Sequence, residues 1–376
     1  MIKKLFLKNG RFLNSWMIIL SILLISLGLI QAINPIKDNG LTFIGKIPVL
    51  FGIPMVIIGI LSLVYTIFYL ICSKKFNNNK LFIVKKIIYF LLMFLIAIYF
   101  VEYIVLGLVG NFIEASKLNK IPEKNQFVLA TCWLLMNKGS DFLKGIGVTL
   151  SISLLGTVIG LFLGLVFAIL RIQKVGKKDS EVKAFFKKIA VGFSKGYIAL
   201  FRGTPMMVQA ILFYYLVPFA ISQATGVPMS TMNKIFTWFV SGLLVVSLNT
   251  TAYLAEVLRG GIESIDKGQM EAARSLGMGY WQAMIFVILP QALKNSMPSI
   301  GNEFVINIKD TSVLNVIGVI DIFYVSSQIQ SDTFRFNEPF FIAACIYLIL
   351  TFTTTRILTL IERKMDVNEK PLPSSN

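Results

Sequence analysis

Residues Gly260–Pro290 read GGIESIDKGQMEAARSLGMGYWQAMIFVILP. Asp266 followed by Gln269 three residues on has the form of a capping-box helix start. Met270 to Leu276 are good helix formers, and Ala272 and Ala273 present a small, smooth face. Gly277 suits the left-handed position that closes a helix. A second helix starts near Tyr280 and passes into the apolar run ending at Pro290. The spacing predicts a short helix, about 15 Å long at 1.5 Å per residue, between two apolar segments. Small side chains let such a helix enter a groove on another protein. An ordinary amphipathic connector has the same pattern.

Outward from this stretch the chain is strongly apolar. Of its 376 residues 56% are hydrophobic and 15% charged, and the mean hydropathy is +0.75. Soluble domains carry about 25% charged residues, so a soluble enzyme, a secreted disulfide scaffold and a disordered chain are excluded. A bilayer core needs about 20 apolar residues of helix. Three segments qualify in the first part, at 12–33, 47–72 and 87–109, and five in the second, at 145–170, 198–220, 235–258, 284–308 and 336–361. The first is too long for a signal-peptide apolar region and has no small-x-small cleavage site before Gln31, so it reads as a retained span. Residues 110–144 are polar; within them Phe127–Met136 is apolar but too short to span, and is predicted as an interfacial or packed helix. The fold class is an all-α polytopic membrane protein of about eight transmembrane helices, with both termini on one side.

The 36 Lys and Arg against 19 Asp and Glu give a net charge of +17. The segments at 3–11, 74–86, 171–195, 259–274 and 363–370, which lie on one side of the spans with both termini, carry 23 of these cations, and the opposite segments carry 10. Arg202, Lys294 and Arg356 lie within or beside spans. The positive-inside rule places both termini in the cytoplasm of a multi-pass plasma-membrane protein. Cations dispersed over short loops next to spans are an orientation signal, not a nucleic-acid surface, although a few lysines are placed to touch anionic lipid.

Catalytic chemistry has little to work with. The chain has no histidine, so a Ser-His-Asp triad and histidine metal ligation are excluded within it. Cys72, Cys132 and Cys345 form no CxxC pair, and no metal site is expected. There is no GxxxxGK[ST] phosphate-binding loop, and the GFSKG stretch at Gly192–Gly196 lacks its spacing.

Polar residues inside spans are costly and mark a cavity or a partner. Three stripes fit helical spacing: Arg202, Met206, Gln209 and Phe213; Asn249, Tyr253, Glu256 and Gly260; and Asn295, Ser299, Asn302 and Lys309 with Glu303 beside them. A zwitterionic solute needs a cation or a helix N-terminus for its carboxylate and an acceptor for its ammonium. Glu303, Asn302, Asn249 and Gln209 are the candidate path contacts. Arg202 and Glu256, near the cytoplasmic ends of their spans, are candidates for gating or structural work, as are Pro205, Lys309 and Asp310. Pro205 predicts a kink or break at the residues before it. Gly156, Gly160, Gly164 and Ala168 recur every four residues, a row that lets helices approach closely; the neighbour is either in the same chain or in a mate.

Glu271-Ala272-Ala273, then Gly277, Val287 and Leu289-Pro290 at fixed spacing, resemble the EAA loop of ABC-importer membrane subunits, with Val287 where isoleucine is usual. Phe142-Leu143-Lys144-Gly145 with Thr149, Arg202-Gly203-Thr204-Pro205 with Gln209, Ala252-Tyr253 with Glu256 and Arg259-Gly260, and Asn302-Glu303-Phe304 with Lys309-Asp310-Thr311-Ser312 resemble the polar amino-acid branch, the histidine, glutamine and arginine permeases. The resemblance spans residues 142–362 and implies a type I importer transmembrane domain with its coupling loop at 260–290. Residues 1–110 are then a three-span extension, 111–141 an extracellular linker and 363–376 a cytoplasmic tail. It further implies a second permease chain, identical or homologous. Glu271, Ala272, Ala273 and Gly277 would couple to two ATPase subunits that hold the ATP and Mg. An extracellular binding protein would deliver a polar amino acid. An ion-coupled secondary transporter or channel, with Glu256 or Glu303 as its ion site, is the alternative.

Overall fold

The computed structural model describes residues 10–33, 48–72, 79–176 and 179–365. The two termini and the lysines at 177 and 178 lie outside the described residues. Every regular element among the described residues is helical. The chain divides into two compact units, 1–136 and 137–376.

In the first unit, α1 (Gly10–Ile33) and α2 (Pro48–Cys72) match the first two expected spans to within two residues, whereas α3 (Asn79–Tyr99) starts eight residues before the third expected span and ends ten residues short of it. Leu20, Leu24, Met55 and Leu92 form their shared core. Ser21 and Ser62 meet at 2.6 Å between α1 and α2, a hydrogen bond with no water to compete for it. A π-helical segment, Phe100–Leu106, continues α3 into α4 (Gly107–Ser116). Ala115 then packs with Leu129 and Cys132, and the Trp133 indole donates to the Leu118 carbonyl at 3.0 Å.

The apolar segment Phe127–Met136 is not a separate helix. It opens α5 (Phe127–Arg171), which runs 45 residues without interruption. The polar run Asn137 to Asp141 suggested a break, but it holds no proline and one glycine, and the peptide ladder outweighs side-chain polarity.

The second unit holds α6 (Glu181–Gly203), α7 (Met206–Thr225), α8 (Met229–Ile235), α9 (Trp238–Glu263), α10 (Lys267–Ser275), α11 (Tyr280–Ile317), α12 (Ile322–Thr333) and α13 (Asn337–Lys364). Among the described residues four helices, α5, α7, α9 and α13, are long and apolar enough to cross a membrane, and α11 with α12 makes a fifth path bent by 48°. Two π-helical turns, Leu212–Leu216 and Met284–Ile288, each lie just before a proline, Pro218 and Pro290. Proline has no N–H for the carbonyl four residues back, and widening the turn accommodates the loss.

The glycine row of α5 packs against α9 of the same chain. A Cβ at Gly156 would lie 2.6 Å from Val246 Cγ1, one at Gly160 2.7 Å from Thr250 Cγ2, and one at Gly164 3.1 Å from the Ala255 nitrogen. Ala168 continues the row against Leu254, Leu258 and Ile300. Small residues are therefore what sets the distance between these helices.

Beside this crossing lies a buried polar knot. Asn307 Nδ2 donates to Thr157 Oγ1 and to Thr250 Oγ1, both at 2.9 Å, linking α5, α9 and α11. Asn307→Leu strands the buried Thr250 hydroxyl, while Thr157 keeps its bond to the Ser153 carbonyl at 2.7 Å, and is expected to cost about 1–3 kcal/mol. The triple change Thr157→Val, Thr250→Val, Asn307→Leu removes the whole knot and should cost less than the single change; thermal unfolding in detergent compares them.

Candidate functional site: a coupling helix and a broken-span pathway

Asp266 caps α10 through its carboxylate, which accepts from the Gly268 N–H at 2.6 Å. The Gln269 N–H goes instead to the Asp266 main-chain oxygen at 3.0 Å, so the cap uses the second helical residue, not the third. At the other end Gly277 adopts φ +87°. Met278 N–H reaches back to the Ala273 carbonyl at 3.2 Å, closing a Schellman turn as the glycine predicted. The next helix start is closed by the Gln282 side chain, which accepts from Gly279 N–H at 2.8 Å.

The two alanines do not act as one face. Ala273 is buried and Met270 packs on the core of Ile262, Met284, Ile288 and Ala292, fixing the inner edge of α10. Glu271, Ala272 and Ser275 point outward, and Leu276 is 84% exposed. A cleft of about 880 Å³ opens alongside, lined by Phe186, Met270, Tyr280 and Trp281 among others. The outer edge of this short helix is thus small, acidic and tipped by a leucine.

The pathway residues fall into three groups. The first holds a helix break. α6 ends at Gly203, Thr204 is extended at φ −121°, ψ 145°, and α7 begins after Pro205. The expected single span at 198–220 is thus two helices, and the Arg202, Met206, Gln209, Phe213 stripe does not exist as one face. Gln209 Nε2 donates to the Phe201 carbonyl at 3.0 Å, the Thr204 carbonyl at 3.0 Å and Thr204 Oγ1 at 2.9 Å. Asn249 Nδ2 donates to the Phe201 carbonyl at 3.3 Å and to Gln209 Oε1 at 3.2 Å. Unwound backbone inside a bilayer must be satisfied by protein, and these two amides do that work. Both were read as path contacts from sequence; the structure engages them in supporting the break.

The second group is a charge network at the end of α9. Glu256 accepts from Arg171 at 3.0 Å and from Arg259 at 2.9 Å, and Arg259 reaches Glu263 at 2.6 Å. This ties the end of α5 to α9.

The third group lies at the helix break and along one side of α11. Arg202 lies in the last turn of α6, at the break just before the membrane-crossing α7; its guanidinium sits 5.0 Å from the Tyr253 ring centroid. Asn295, Ser299, Asn302 and Lys309 form an exposed stripe on α11, as their spacing predicted. Glu303, one residue round the helix, is 9% exposed.

Some buried, paired polar side chains had no place in the sequence reading. Asn307 is one turn from Glu303 and could have been found as an inward i, i+4 pair. Asp321, fully buried, caps α12 through Tyr324 N–H at 2.8 Å and accepts from the Tyr347 hydroxyl at 2.8 Å. An aspartate directly before an apolar helix start is its sequence signal. Arg335, counted from sequence as a loop charge, is buried and pairs with Glu338 at 2.7 Å.

Residues 182–367 match the binding-protein-dependent transport system inner membrane component family. The arginine transport system permease protein of Bacillus subtilis (strain 168) is 34% identical over 227 residues, 60% of this chain and 93% of that protein. The glutamine transport system permease protein of Escherichia coli (strain K12) is 34% identical over 225 residues, with the same coverage. A crystal structure of an amino acid ABC transporter with histidines superposes with a TM-score of 0.51 at 34% identity, covering 62% of this chain and 97% of that one. The chain belongs to this family: it is a permease component of an ABC importer.

Proposed function

We propose that this chain is the membrane-spanning permease of an importer for a polar amino acid. The relatives named for glutamine and arginine transport support that substrate class. In this reading two ATPase subunits hold ATP and Mg and grip α10 from the cytoplasm, where the lysine and arginine distribution puts both termini. An extracellular binding protein delivers the solute. A second permease chain, identical or homologous, covers the stripe of Asn295, Ser299, Asn302 and Lys309, since such a face is costly against lipid. Between the two chains Arg202 is placed to meet the solute carboxylate and Glu303 its ammonium, with Tyr253 and Asn302 alongside.

The observation that carries the proposal is α10, held from within by Met270 and Ala273 and presenting Glu271, Ala272 and Leu276 outward. The test is ATP hydrolysis by the complex reconstituted in vesicles with its binding protein, across a panel of amino acids. One or a few polar amino acids should stimulate hydrolysis. Glu303→Gln should weaken the response to that solute about tenfold or more, the value of a charge-assisted hydrogen bond, while leaving the unstimulated rate in place. Absence of any co-purifying ATPase, with no amino acid raising hydrolysis, overturns the reading.

A further inference from the structure

The amphipathic start of α6 has three faces. One is buried in the unit at Ser194, Ile198 and Phe201. A second is exposed and apolar: Val182, Phe185, Phe186, Ile189 and Phe193 are each 50% exposed or more. The third carries Lys188, Gly192 and Lys195, at i, i+4 and i+7. These border a shallow cavity of about 280 Å³, completed by Gln173, Val175, Lys187 and Val191.

The lysines of this segment are not equivalent. Asp179 binds Lys187 at 2.6 Å and Lys183 at 3.4 Å. Hydrogen bonds from Lys187 and from the Gly176 N–H hold its carboxyl well below the usual carboxylate range, at about 2. Lys187 also donates to the Lys174 carbonyl at 3.0 Å. Lys188 and Lys195 are both exposed and make no ion pair among the described residues. A Cβ at Gly192, between them, would meet nothing within 4 Å, so the floor of the cavity is open.

The depth of the cavity follows from its neighbours. Ser194 Oγ donates to the Phe167 carbonyl at 3.0 Å, four residues before α5 ends at Arg171. Lys195 therefore lies about one helical turn inside the end of a membrane-spanning helix, at headgroup level. Amphipathic helices with lysine on one side and aromatic residues on the other lie in that interface.

We propose that Lys188 and Lys195, over Gly192, bind the phosphate of an anionic phospholipid in the cytoplasmic leaflet, with its acyl chains against Phe185, Ile189 and Phe193. The proposal rests on the orientation adopted under Proposed function. A lipid held there would fix the approach of α6 to its break at Thr204 and Pro205.

The test uses the full chain in nanodiscs of mixed phosphatidylglycerol and phosphatidylcholine, released into native mass spectrometry. The wild type should retain phosphatidylglycerol in preference to phosphatidylcholine. Lys188→Gln with Lys195→Gln should lower that retention about thirty-fold, from about 1 kcal/mol per lysine at a membrane surface. Gly192→Glu, which leaves both lysines in place and fills open space, should lower it as well. Lys234→Gln, on the opposite side by sequence, should not. Retention unchanged in the double variant and in Gly192→Glu overturns the site. Loss of the retained lipid on adding millimolar inorganic phosphate shows a free-anion site and overturns the lipid assignment. Orientation is read separately by labelling Leu276→Cys, in a background lacking Cys72, Cys132 and Cys345, with a membrane-impermeant maleimide. Labelling from outside the cell would overturn the orientation whatever the lipid result.

Discussion

Gly277→Pro should abolish ATP-driven uptake while leaving the membrane helices folded. Gly277 sits at φ +87°, and its N–H bonds the Arg274 carbonyl at 3.0 Å. Proline locks φ near −65° and has no N–H, so the turn that ends α10 cannot form. Leu276 and the outward edge of the helix would then point elsewhere. The loss is confined to α10 because its outer residues touch nothing else in the chain's own core; the contacts of Met270 with Ile262, Met284 and Ile288 are the tether. Glu271→Lys and Leu276→Asp probe the same surface without touching the backbone. Three measurements decide the matter together: co-purification of the ATPase, uptake into vesicles and thermal unfolding. Uptake and ATPase retention should fall to background in Gly277→Pro and strongly in the two side-chain variants, with the unfolding midpoint nearly unchanged. Normal uptake in all three would remove α10 from the coupling path.

Gly160→Leu should be the most damaging substitution for stability. Its Cβ would stand 2.7 Å from Thr250 Cγ2, 2.8 Å from Thr250 Cβ and 3.2 Å from the Thr251 nitrogen. The last two belong to the helix frame and cannot swing aside. α5 and α9 would have to separate along the whole row, opening the contacts at Gly156 and Gly164 and straining the Asn307 knot. Overpacking alone costs about 1–3 kcal/mol, and separating the knot adds about 1–3 more. Against a total stability of about 5–15 kcal/mol this should sharply reduce the yield of folded protein. Gly147→Leu is the control, because a Cβ there meets nothing within 4 Å. Size-exclusion profiles and thermal unfolding should show Gly160→Leu aggregated or strongly destabilised and Gly147→Leu close to the wild type. Equal behaviour of the two would mean that this crossing does not set the packing.

Local chemistry made much of this legible. The spans follow from runs of apolar residues that nothing but lipid or a large core can bury. The stop of α10 follows from one glycine, since the left-handed turn is closed to side chains with a Cβ. The outward stripe of α11 follows from the helical period. Where side chains had to be assigned to partners, local reading did not supply the partners. Gln209 and Asn249 look from sequence like solute contacts because an amide in a span is costly and demands a reason. The reason is a carbonyl at Phe201 and another at Thr204, far from Asn249 in the chain and exposed only once the helix has broken.

Helix positions, the short coupling element, the break at Pro205 and the cation asymmetry were therefore set by residues acting within about one or two turns of themselves. The same chemistry operates in any chain that carries those residues. Pairing was not. Whether the glycine row meets α9 or a mate, whether Ala273 faces in or out, and whether Glu256 ties Arg171 to Arg259 each depend on which surfaces come together across the fold. Those choices are made by packing between helices distant in sequence, where shape and the need to satisfy every buried polar group select one arrangement.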